Sequence, residues 1–219
     1  MPFSRVWAVL VPLLVPVALV MAAVRLLLTP LFLQASYRVP LVPPDPYGLD
    51  TPERLHWAEL SRQYLLNDAD RSFLARLRFA DRRPVFNARE IRHLEDVKAV
   101  VQTALKVGYA AWAGLLGLGV WAWYRGEGAW LAYRAAVARG GWITLWSMLA
   151  IVVAVVVAFG PFFVFFHRLF FEGDSWLFAQ TDTLIRLFPE PFWVNAFLVV
   201  AGISALAAWV LTRWAPRGG

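Results

Sequence analysis

The stretch 142–166, WITLWSMLAIVVAVVVAFGPFFVFF, contains no charged residue in 25 positions. At about 1.5 Å per residue, a helix of this length crosses a bilayer core of about 30 Å. A single apolar segment in lipid must be helical, because only a helix satisfies its own backbone hydrogen bonds. The stretch therefore predicts a transmembrane helix, and it decides the class of fold.

Three further apolar runs have similar length and cover residues 6–33, 99–123 and 192–211. The chain has 219 residues, of which 60% are hydrophobic and 16% charged, whereas a soluble domain is about 45–50% apolar and about 25% charged. We therefore predict an all-α integral membrane protein with four transmembrane helices. Because the chain has no cysteine, a disulfide framework, a thiolate metal site and a cysteine nucleophile are excluded.

The first run follows a basic residue, Arg5, which raises the question of a cleaved signal peptide. Its apolar stretch is longer than the core of about 7–15 residues that a signal peptide has. Its exit, Leu33-Gln34-Ala35, is not a clear small-x-small cleavage site. We interpret residues 6–33 as an uncleaved first transmembrane helix.

Basic residues in short loops indicate the cytoplasmic side of a membrane protein. The predicted loop 124–141 has three arginines against one glutamate, and the tail 212–219 has two arginines and no acid. The predicted loop 167–191 has two arginines against four acids. We expect both termini inside and the 167–191 loop outside. The net charge of +6 is then a topology signal. The sequence has no basic stretch that is free of apolar or acidic residues, so the charge does not indicate nucleic-acid binding.

Residues 34–87 are expected to form a small mixed extracytoplasmic cap between the first two transmembrane helices. The proline-rich part 37–47 predicts an extended or turning chain. Thr51 as N-cap and Pro52 as the first helical residue predict a helix start, and a second short helix is expected near 73–77. A segment of this length cannot form a sizeable core alone, so we expect it to pack on the helices.

The strongest helix start in the chain lies at Asn87. Its side chain can cap a helix, Glu90 completes a capping box, and Phe86 with Ile91 forms a hydrophobic staple. No helix-breaking residue follows until the second apolar run ends, so one helix is predicted over 88–123. At about 54 Å it exceeds the bilayer core, and its first turns should project outside.

Two of the three histidines are expected at the same outer interface. His93 lies on the projecting turns between Glu90 and Asp96, and His167 directly follows the third apolar run. A neutral imidazole can act as a base near pH 7, and two of them near carboxylates are typical of an acyl-transfer site. The alternative is that each histidine is a plain interfacial anchor.

Other polar groups give weaker signals. Ser175 lacks a G-x-S-x-G elbow, and Asp174-Ser175 is typical of a turn or a helix cap. A three-histidine metal site would need His56, and no metal-type spacing supports it. Arg25 and Lys106 lie within apolar runs, where they either extend outward to phosphate level or hold a lipid phosphate or ester carbonyl.

Small residues and proline indicate how the membrane helices bend and pack. Gly160-Pro161 should bend the third helix near its outer end. The pairs Ala110/Gly114 and Ala113/Gly117 indicate close helix packing on the second.

Two blocks of the sequence resemble one known family. They read Glu90-x-x-His93-x-x-Asp96-Val97-Lys98, and His167-x-Leu169-Phe170-Phe171 followed by Trp176-x-Phe178, Asp182-x-Leu184-Ile185 and Leu187-Phe188-Pro189-x-x-Phe192. Together with the four-helix plan, they are similar to the lipoprotein intramolecular transacylases (Lit), which are bacterial membrane proteins. Residues 34–87 match that family only in place and length.

The resemblance implies a reaction and a set of roles. Members of the family move the sn-2 acyl chain of a lipoprotein's diacylglyceryl-cysteine to the α-amino group of the same cysteine, which gives the lyso form. His93 would be the general base, oriented by Glu90 or Asp96. His167 would stabilise the oxyanion or protonate the leaving oxygen; exchanged roles and an acyl-histidine intermediate stay open. The supporting candidates are Glu90, Asp96, Lys98, Lys106, Trp176 and Asp182.

The resemblance also implies a bacterial cytoplasmic-membrane enzyme with its site at the extracytoplasmic face. Its partners would be a diacylated lipoprotein and membrane lipid, with no cofactor, no metal and no nucleic acid; the oligomeric state is left open, and a monomer is compatible. Two alternatives remain: a non-catalytic four-helix subunit for transport or secretion, and another lipid acyltransferase or hydrolase.

Overall fold

The structure is a computed structural model that describes residues 3–38 and 42–216, with side chains from residue 7 onward. The predictions that rest on the side chain of Arg5, on residues 39–41 and on Arg217 lie outside what the structure describes. The described ranges contain no strand; Arg78 and Pro84 form an isolated antiparallel bridge. The helices are α1 (Phe3–Leu27), α2 (Pro30–Arg38), α3 (Thr51–Leu66), α4 (Ser72–Ala75), α5 (Ala88–Tyr124), α6 (Glu127–Phe170), α7 (Thr183–Leu187) and α8 (Glu190–Arg213).

Four of these helices are long and apolar enough to cross a membrane. They are Trp7–Leu27 within α1, and the whole of α5, α6 and α8. The prediction of four transmembrane helices is thereby confirmed for the described part of the chain, and the protein is a multi-pass membrane protein.

The first predicted helix is interrupted where the sequence was expected to continue it to residue 33. The amide and the hydroxyl of Thr29 both donate to the carbonyl of Leu26, at 3.2 and 2.6 Å. Pro30 disfavours the helical conformation of the residue before it and lacks an amide hydrogen. The chain therefore ends α1 at Leu27 and begins α2 at Pro30.

The predicted loop 124–141 is mostly helix. Residues 125 and 126 separate α5 from α6, and Gly126 takes a φ of +99°. The loop was predicted as the interval between two apolar runs, but residues 129–138 are rich in alanine and other good helix formers, so they are helical as well. Likewise α6 continues to Phe170, so the predicted loop 167–191 contains the end of α6, all of α7 and the start of α8.

Capping interactions define the starts of α3 and α5. The N-cap of α3 is Asp50, whose Oδ1 accepts from the amide of Glu53 at 2.8 Å, so the prediction of Thr51 was one residue late. The predicted capping box of α5 is present: Asn87 Oδ1 accepts from the amide of Glu90 at 3.0 Å, and Glu90 Oε2 accepts from the amide of Asn87 at 2.7 Å. The helix runs from Ala88 to Tyr124, one residue beyond the prediction.

The chain divides into two compact units, each with its own core. The first comprises Met1–Arg25, Ala104–Val157 and Phe197–Gly219. Its helices approach closely, since a Cβ added at Gly140 would lie 2.5 Å from Cβ of Val15.

The second unit comprises Leu26–Thr103 and Ala158–Ala196. Its largest core cluster joins residues of α3, α4 and α5 to Leu184 and Leu187 of α7. Ala158, with φ −148° and ψ 55°, interrupts the helical geometry of α6 three residues before Pro161. The predicted bend near Gly160-Pro161 therefore occurs, and the second segment of this unit begins at Ala158.

Candidate active site

The imidazole rings of His93 and His167 lie side by side in the second unit. Their ring centroids are 6.2 Å apart and their planes differ by 19°. His93 lies near the start of α5 and His167 near the end of α6. The two residues are buried, with 6% and 9% of their surface exposed. Two histidines far apart in sequence thus form one pair.

Aromatic side chains surround this pair. Burial among rings excludes water and limits how the imidazoles can turn. The nearest ring neighbours are Phe163 and Trp176 for His167, with centroids at 4.0 and 4.9 Å, and Phe171 and Phe178 for His93, at 4.9 and 5.3 Å.

The hydrogen bond of His167 identifies its neutral tautomer. Its Nδ1 lies 2.9 Å from the carbonyl oxygen of Phe163, one helical turn earlier. A carbonyl oxygen only accepts, so Nδ1 carries the proton and Nε2 keeps a free lone pair in the neutral ring. The arrangement leaves Nε2 as the basic atom of His167.

His93 is held differently. Its Nδ1 is buried and has no hydrogen-bond partner within the described residues. No carboxylate bonds to that nitrogen within the described chain, and the hypothesis that Glu90 or Asp96 orients His93 stays a prediction. Glu90 uses both oxygens on backbone amides, those of Asn87 and Leu184 at 2.7 and 2.6 Å, and Asp96 is exposed.

Trp176 and Asp182 both belong to the connecting segment 171–182, which lies between α6 and α7 and packs on the imidazoles. Trp176 is 8% exposed, and its Nε1 donates to the carbonyl of Gly173 at 3.1 Å. Asp182 accepts from Nδ2 of Asn87 at 3.1 Å and from the amide of Ala179 at 2.9 Å. Trp176 therefore contacts the pair directly, whereas Asp182 holds the segment to the start of α5.

The predicted lysines do not contact the imidazoles. Lys98 donates from Nζ to the carbonyl of Ala69 and lies over the ring of Tyr64 at 4.2 Å, so it fastens α5 to the chain after α3. Lys106 is exposed in the first unit. Arg25 is also an exposed residue of that unit.

Ser175 and His56 lie outside the pair. The hydroxyl of Ser175 donates to the carbonyl of Glu172 at 3.4 Å, in a turn where Gly173 takes a φ of +59°. His56 is exposed on α3 and meets the ring of Trp57 edge to face, with centroids 4.6 Å apart.

The sequence reasoning missed Arg89, which contacts the connecting segment 171–182. Its Nη2 donates to the carbonyl of Asp174 at 2.6 Å, and its guanidinium lies 5.7 Å from the centroid of Phe178. Arg89 stands in the capping turn beside Glu90, but nothing in that local pattern indicates a partner 85 residues away.

The family model of the lipoprotein intramolecular transacylase Lit matches residues 9–193 of this chain. The chain belongs to the Lit family. An uncharacterised protein of Aquifex aeolicus is 26% identical over 182 residues, which cover 80% of this chain and 77% of that protein. At the level of the family, the protein is a membrane acyltransferase that modifies lipoproteins.

Solved Lit structures have the same fold. The structure of Lit from Bacillus cereus superposes with a TM-score of 0.73 at 18% identity, covering 97% of this chain and 95% of that chain. A variant of the same protein, with one histidine replaced by alanine, gives 0.71 at 17% identity, covering 97% and 93%. These similarities establish the architecture, while the roles of individual side chains depend on the geometry described above.

Proposed function

We propose that this protein transfers the sn-2 acyl chain of a lipoprotein's diacylglyceryl-cysteine to the α-amino group of the same cysteine. Membership of the Lit family supports the reaction class. The observation that carries the site assignment is the imidazole pair, with centroids 6.2 Å apart in a buried aromatic shell. Two imidazoles at this spacing offer two proton-handling groups to one reacting centre.

His167 is the general base in this proposal, and His93 is the second group. The hydrogen bond from Nδ1 of His167 to the carbonyl of Phe163 supports this assignment, because it leaves Nε2 free to accept a proton. The sequence-based hypothesis gave the base to His93 and left the exchange open. His93 would stabilise the oxyanion or protonate the leaving oxygen, since its Nδ1 makes no other hydrogen bond within the described chain.

The transfer balances within one substrate molecule. A free α-amine has a pKa of about 7.7–8.0, so much of it is protonated at neutral pH and a base must prepare it. The neutral amine attacks the ester carbonyl, a C–N bond forms, and the C–O bond to the glycerol oxygen breaks. The proton lost by the amine is returned through the imidazoles to that glycerol oxygen. Because ester and amine belong to one molecule, their effective concentration is already high.

The proposal places both termini in the cytoplasm and the imidazole pair at the extracytoplasmic face of the cytoplasmic membrane. Its support is the excess of arginine over acid in 124–141 and of acid over arginine in 167–191. The absence of native cysteine permits a direct test. With a membrane-impermeant maleimide on spheroplasts, Gln180→Cys should be labelled and Gly128→Cys should not; the reverse pattern would contradict this topology.

Separate His93→Ala and His167→Ala variants test the site. Each should lower formation of the N-acylated lyso product by at least about 100-fold, because each removes a proton-transfer group. Mass spectrometry of a reporter lipoprotein measures that product. His56→Ala is the matched control, since His56 is exposed and its ring neighbour in the described structure is Trp57, outside the imidazole pair. Normal product from either variant of the pair removes that histidine from the mechanism.

The remaining enzymatic rival is an acyltransferase or hydrolase that acts on free phospholipids. Purified protein would be given diacylated lipopeptide and phospholipid in parallel. The proposal expects an N-acyl product from the lipopeptide and no acyl loss from the phospholipid. Acyl release from phospholipid alone would decide for the rival.

A further inference from the structure

Glu90 is a buried carboxylate whose partners are backbone amides of two separate segments. It is 1% exposed; Oε2 accepts from the amide of Asn87 at 2.7 Å and Oε1 from the amide of Leu184 at 2.6 Å. Within the described chain, neither oxygen forms an ion pair with a cationic side chain. Burial of a carboxylate is unfavourable unless hydrogen bonds replace its water. The two amides therefore determine where this side chain lies.

The two donors belong to the starts of different helices. Asn87 directly precedes α5, and Leu184 is the second residue of α7. Hydrogen bonds to an ionised acceptor are stronger and shorter than those between neutral groups. One side chain thus fastens the beginning of α5 to the beginning of α7, across 94 residues of sequence.

The imidazole of His93 depends on both of these segments. His93 follows Glu90 by three residues, which places the two side chains on one face of α5. Since Nδ1 of His93 has no hydrogen-bond partner in the described structure, ring packing determines its orientation. Phe178, which packs on that ring with a centroid distance of 5.3 Å, precedes Leu184 by six residues.

We infer that Glu90 is a positioning residue for His93. It acts through the backbone, by fixing the turn that carries the imidazole and the segment whose aromatic ring packs on it. The role inferred for Glu90 is structural, because its two oxygens accept from the amides of Asn87 and Leu184 and it makes no hydrogen bond to His93 within the described chain. The kinetic consequence of this inference rests on the proposed function; the structural consequence does not.

A second contact joins the same two segments. Nδ2 of Asn87 donates to Oδ1 of Asp182 at 3.1 Å, and Oδ2 of Asp182 accepts from the amide of Ala179, the neighbour of Phe178, at 2.9 Å. Asn87 and Ala179 are exposed, whereas the Glu90 contact is buried. Loss of the Asp182 contact should therefore act in the same direction as loss of the Glu90 contact, but more weakly.

Glu90→Gln is the decisive variant, because it changes the hydrogen bonds with little change in size. A glutamine has one acceptor oxygen and an NH2 group that cannot accept, so one of the two amides loses its partner. We expect kcat to fall at least about 10-fold with KM within about 3-fold, as for a misplaced catalytic group. Asp182→Ala should give a smaller fall in kcat, and it still tests the inference if Glu90→Gln does not fold.

The control is Glu59→Gln on α3. Glu59 pairs with Arg62 at 2.5 Å, so this change also removes a carboxylate acceptor, without touching α5 or α7. Its kcat and KM should match those of the unmodified protein. A rise in KM with unchanged kcat in Glu90→Gln, or an equal fall in kcat in both variants, would overturn the inference.

A chemical readout separates this inference from the proposed function. Diethyl pyrocarbonate modification of each histidine is followed by mass spectrometry on the purified protein, without substrate. Glu90→Gln should raise the rate at His93 about 5-fold or more and leave exposed His56 unchanged, because a loosened segment uncovers a buried ring. An unchanged rate at His93, or an equal increase at every histidine, would overturn it. If the unmodified protein lacks transacylase activity but Glu90→Gln still raises the rate selectively at His93, the proposed function fails and the positioning role stands.

Discussion

The two compact units hold their helices together by different contacts. In the first, backbones approach at glycine: a Cβ added at Gly108 would lie 2.4 Å from Cβ of Met21, and one at Gly141 would lie 2.8 Å from the carbonyl of Ala208. In the second, buried charged side chains bond to backbone groups. Arg54, only 2% exposed, donates to two carbonyls, and Glu90 accepts from two amides.

This difference follows from what each unit must do. Helices in lipid gain little from burying apolar surface, so they associate through close van der Waals contact at small residues. The site proposed for proton transfer would need polar groups at defined positions, and a buried polar group must be hydrogen-bonded to be stable. Directional hydrogen bonds to the backbone supply that precision in the unit that carries His93 and His167.

Arg54→Ala should have the largest effect and break the second unit. Nε of Arg54 donates to the carbonyl of Arg186 at 3.0 Å, and Nη1 to that of Pro43 at 2.7 Å. Two carbonyls left without their donor should cost about 3–4 kcal/mol of unfolding free energy. Amide hydrogen exchange in detergent should become faster in α3 and α7, while residues 197–213, the part of α8 in the first unit, should keep their rate.

Arg76→Ala is the control for that variant. Arg76 is exposed, so its removal should change the unfolding free energy by no more than about 0.5 kcal/mol. Equal losses for the two arginines would show that the buried hydrogen bonds of Arg54 do not hold the unit together.

Gly140→Ala should break the first unit, with a loss of about 2 kcal/mol. The new methyl would meet Cβ of Val15 at 2.5 Å and the carbonyl of Pro12 at 3.0 Å, so α1 would have to move. Gly117→Ala is the matched control, because no atom of the described residues lies within 4 Å of its added Cβ. It should stabilise the helix by about 0.5–1 kcal/mol. Thermal unfolding in detergent measures both; a stabilising Gly140→Ala would contradict the close helix contact.

These glycines show where sequence reasoning about packing fails. The pair Ala110/Gly114 does meet another helix, since a Cβ added at Gly114 would lie 3.3 Å from Cδ1 of Leu14. The same kind of spacing at Ala113 and Gly117 predicted a close contact at Gly117 that the described part of the first unit does not have. Close contacts occur at Gly108, Gly140 and Gly141, whose partners lie on other helices. The identity of the partner depends on how helices are arranged, which a local pattern does not contain.

The same distinction between local and distant partners decides which features of the candidate site could be predicted from the sequence. The capping box at Asn87 and the bend before Pro161 could be predicted, because each depends on neighbours in sequence. The choice of His93 and His167 as candidate site residues was also possible, because it depends on where the apolar runs begin and end. The second partner of Glu90 is Leu184, which no local signal indicates. The buried state of Arg54 was also unpredictable, since its acceptors come from two other segments.

Asp45→Asn should give a smaller, pH-dependent loss in the second unit. Burial alone would raise the pKa of Asp45, but hydrogen bonds from Arg186 and the Leu49 amide, with nearby arginine charge, hold that pKa below its ordinary value. A carboxyl with a lowered folded-state pKa stabilises the fold above its unfolded pKa of about 3.9. That contribution is lost as the pH falls through the folded-state pKa.

We therefore expect Asp45→Asn to cost about 1.5 kcal/mol at pH 7, as for a hydrogen bond to a charged group, and progressively less below about pH 4. Unfolding midpoints between pH 3 and pH 7 measure the difference. The matched control is Asp81→Asn, whose exposed pair with Arg83 is screened by water and salt, so its curve should follow the unmodified protein more closely. A loss at Asp45 that does not vary with pH would show that the carboxylate charge is not what stabilises the segment.

Arg82→Gly should have the smallest effect and the opposite sign. Arg82 takes a φ of +68° in a turn where its amide donates to the carbonyl of Phe79 at 2.9 Å. A left-handed backbone costs an L-residue about 1 kcal/mol or more, and glycine avoids most of that cost. The expected gain in unfolding free energy is about 0.5–1 kcal/mol, whereas Ala80→Gly in the same turn should lose about 0.5 kcal/mol. Glycine would then stabilise the second unit by relieving strain, whereas in the first it stabilises by allowing helices to touch. A loss in Arg82→Gly would instead show that the guanidinium contributes more than the strained backbone costs.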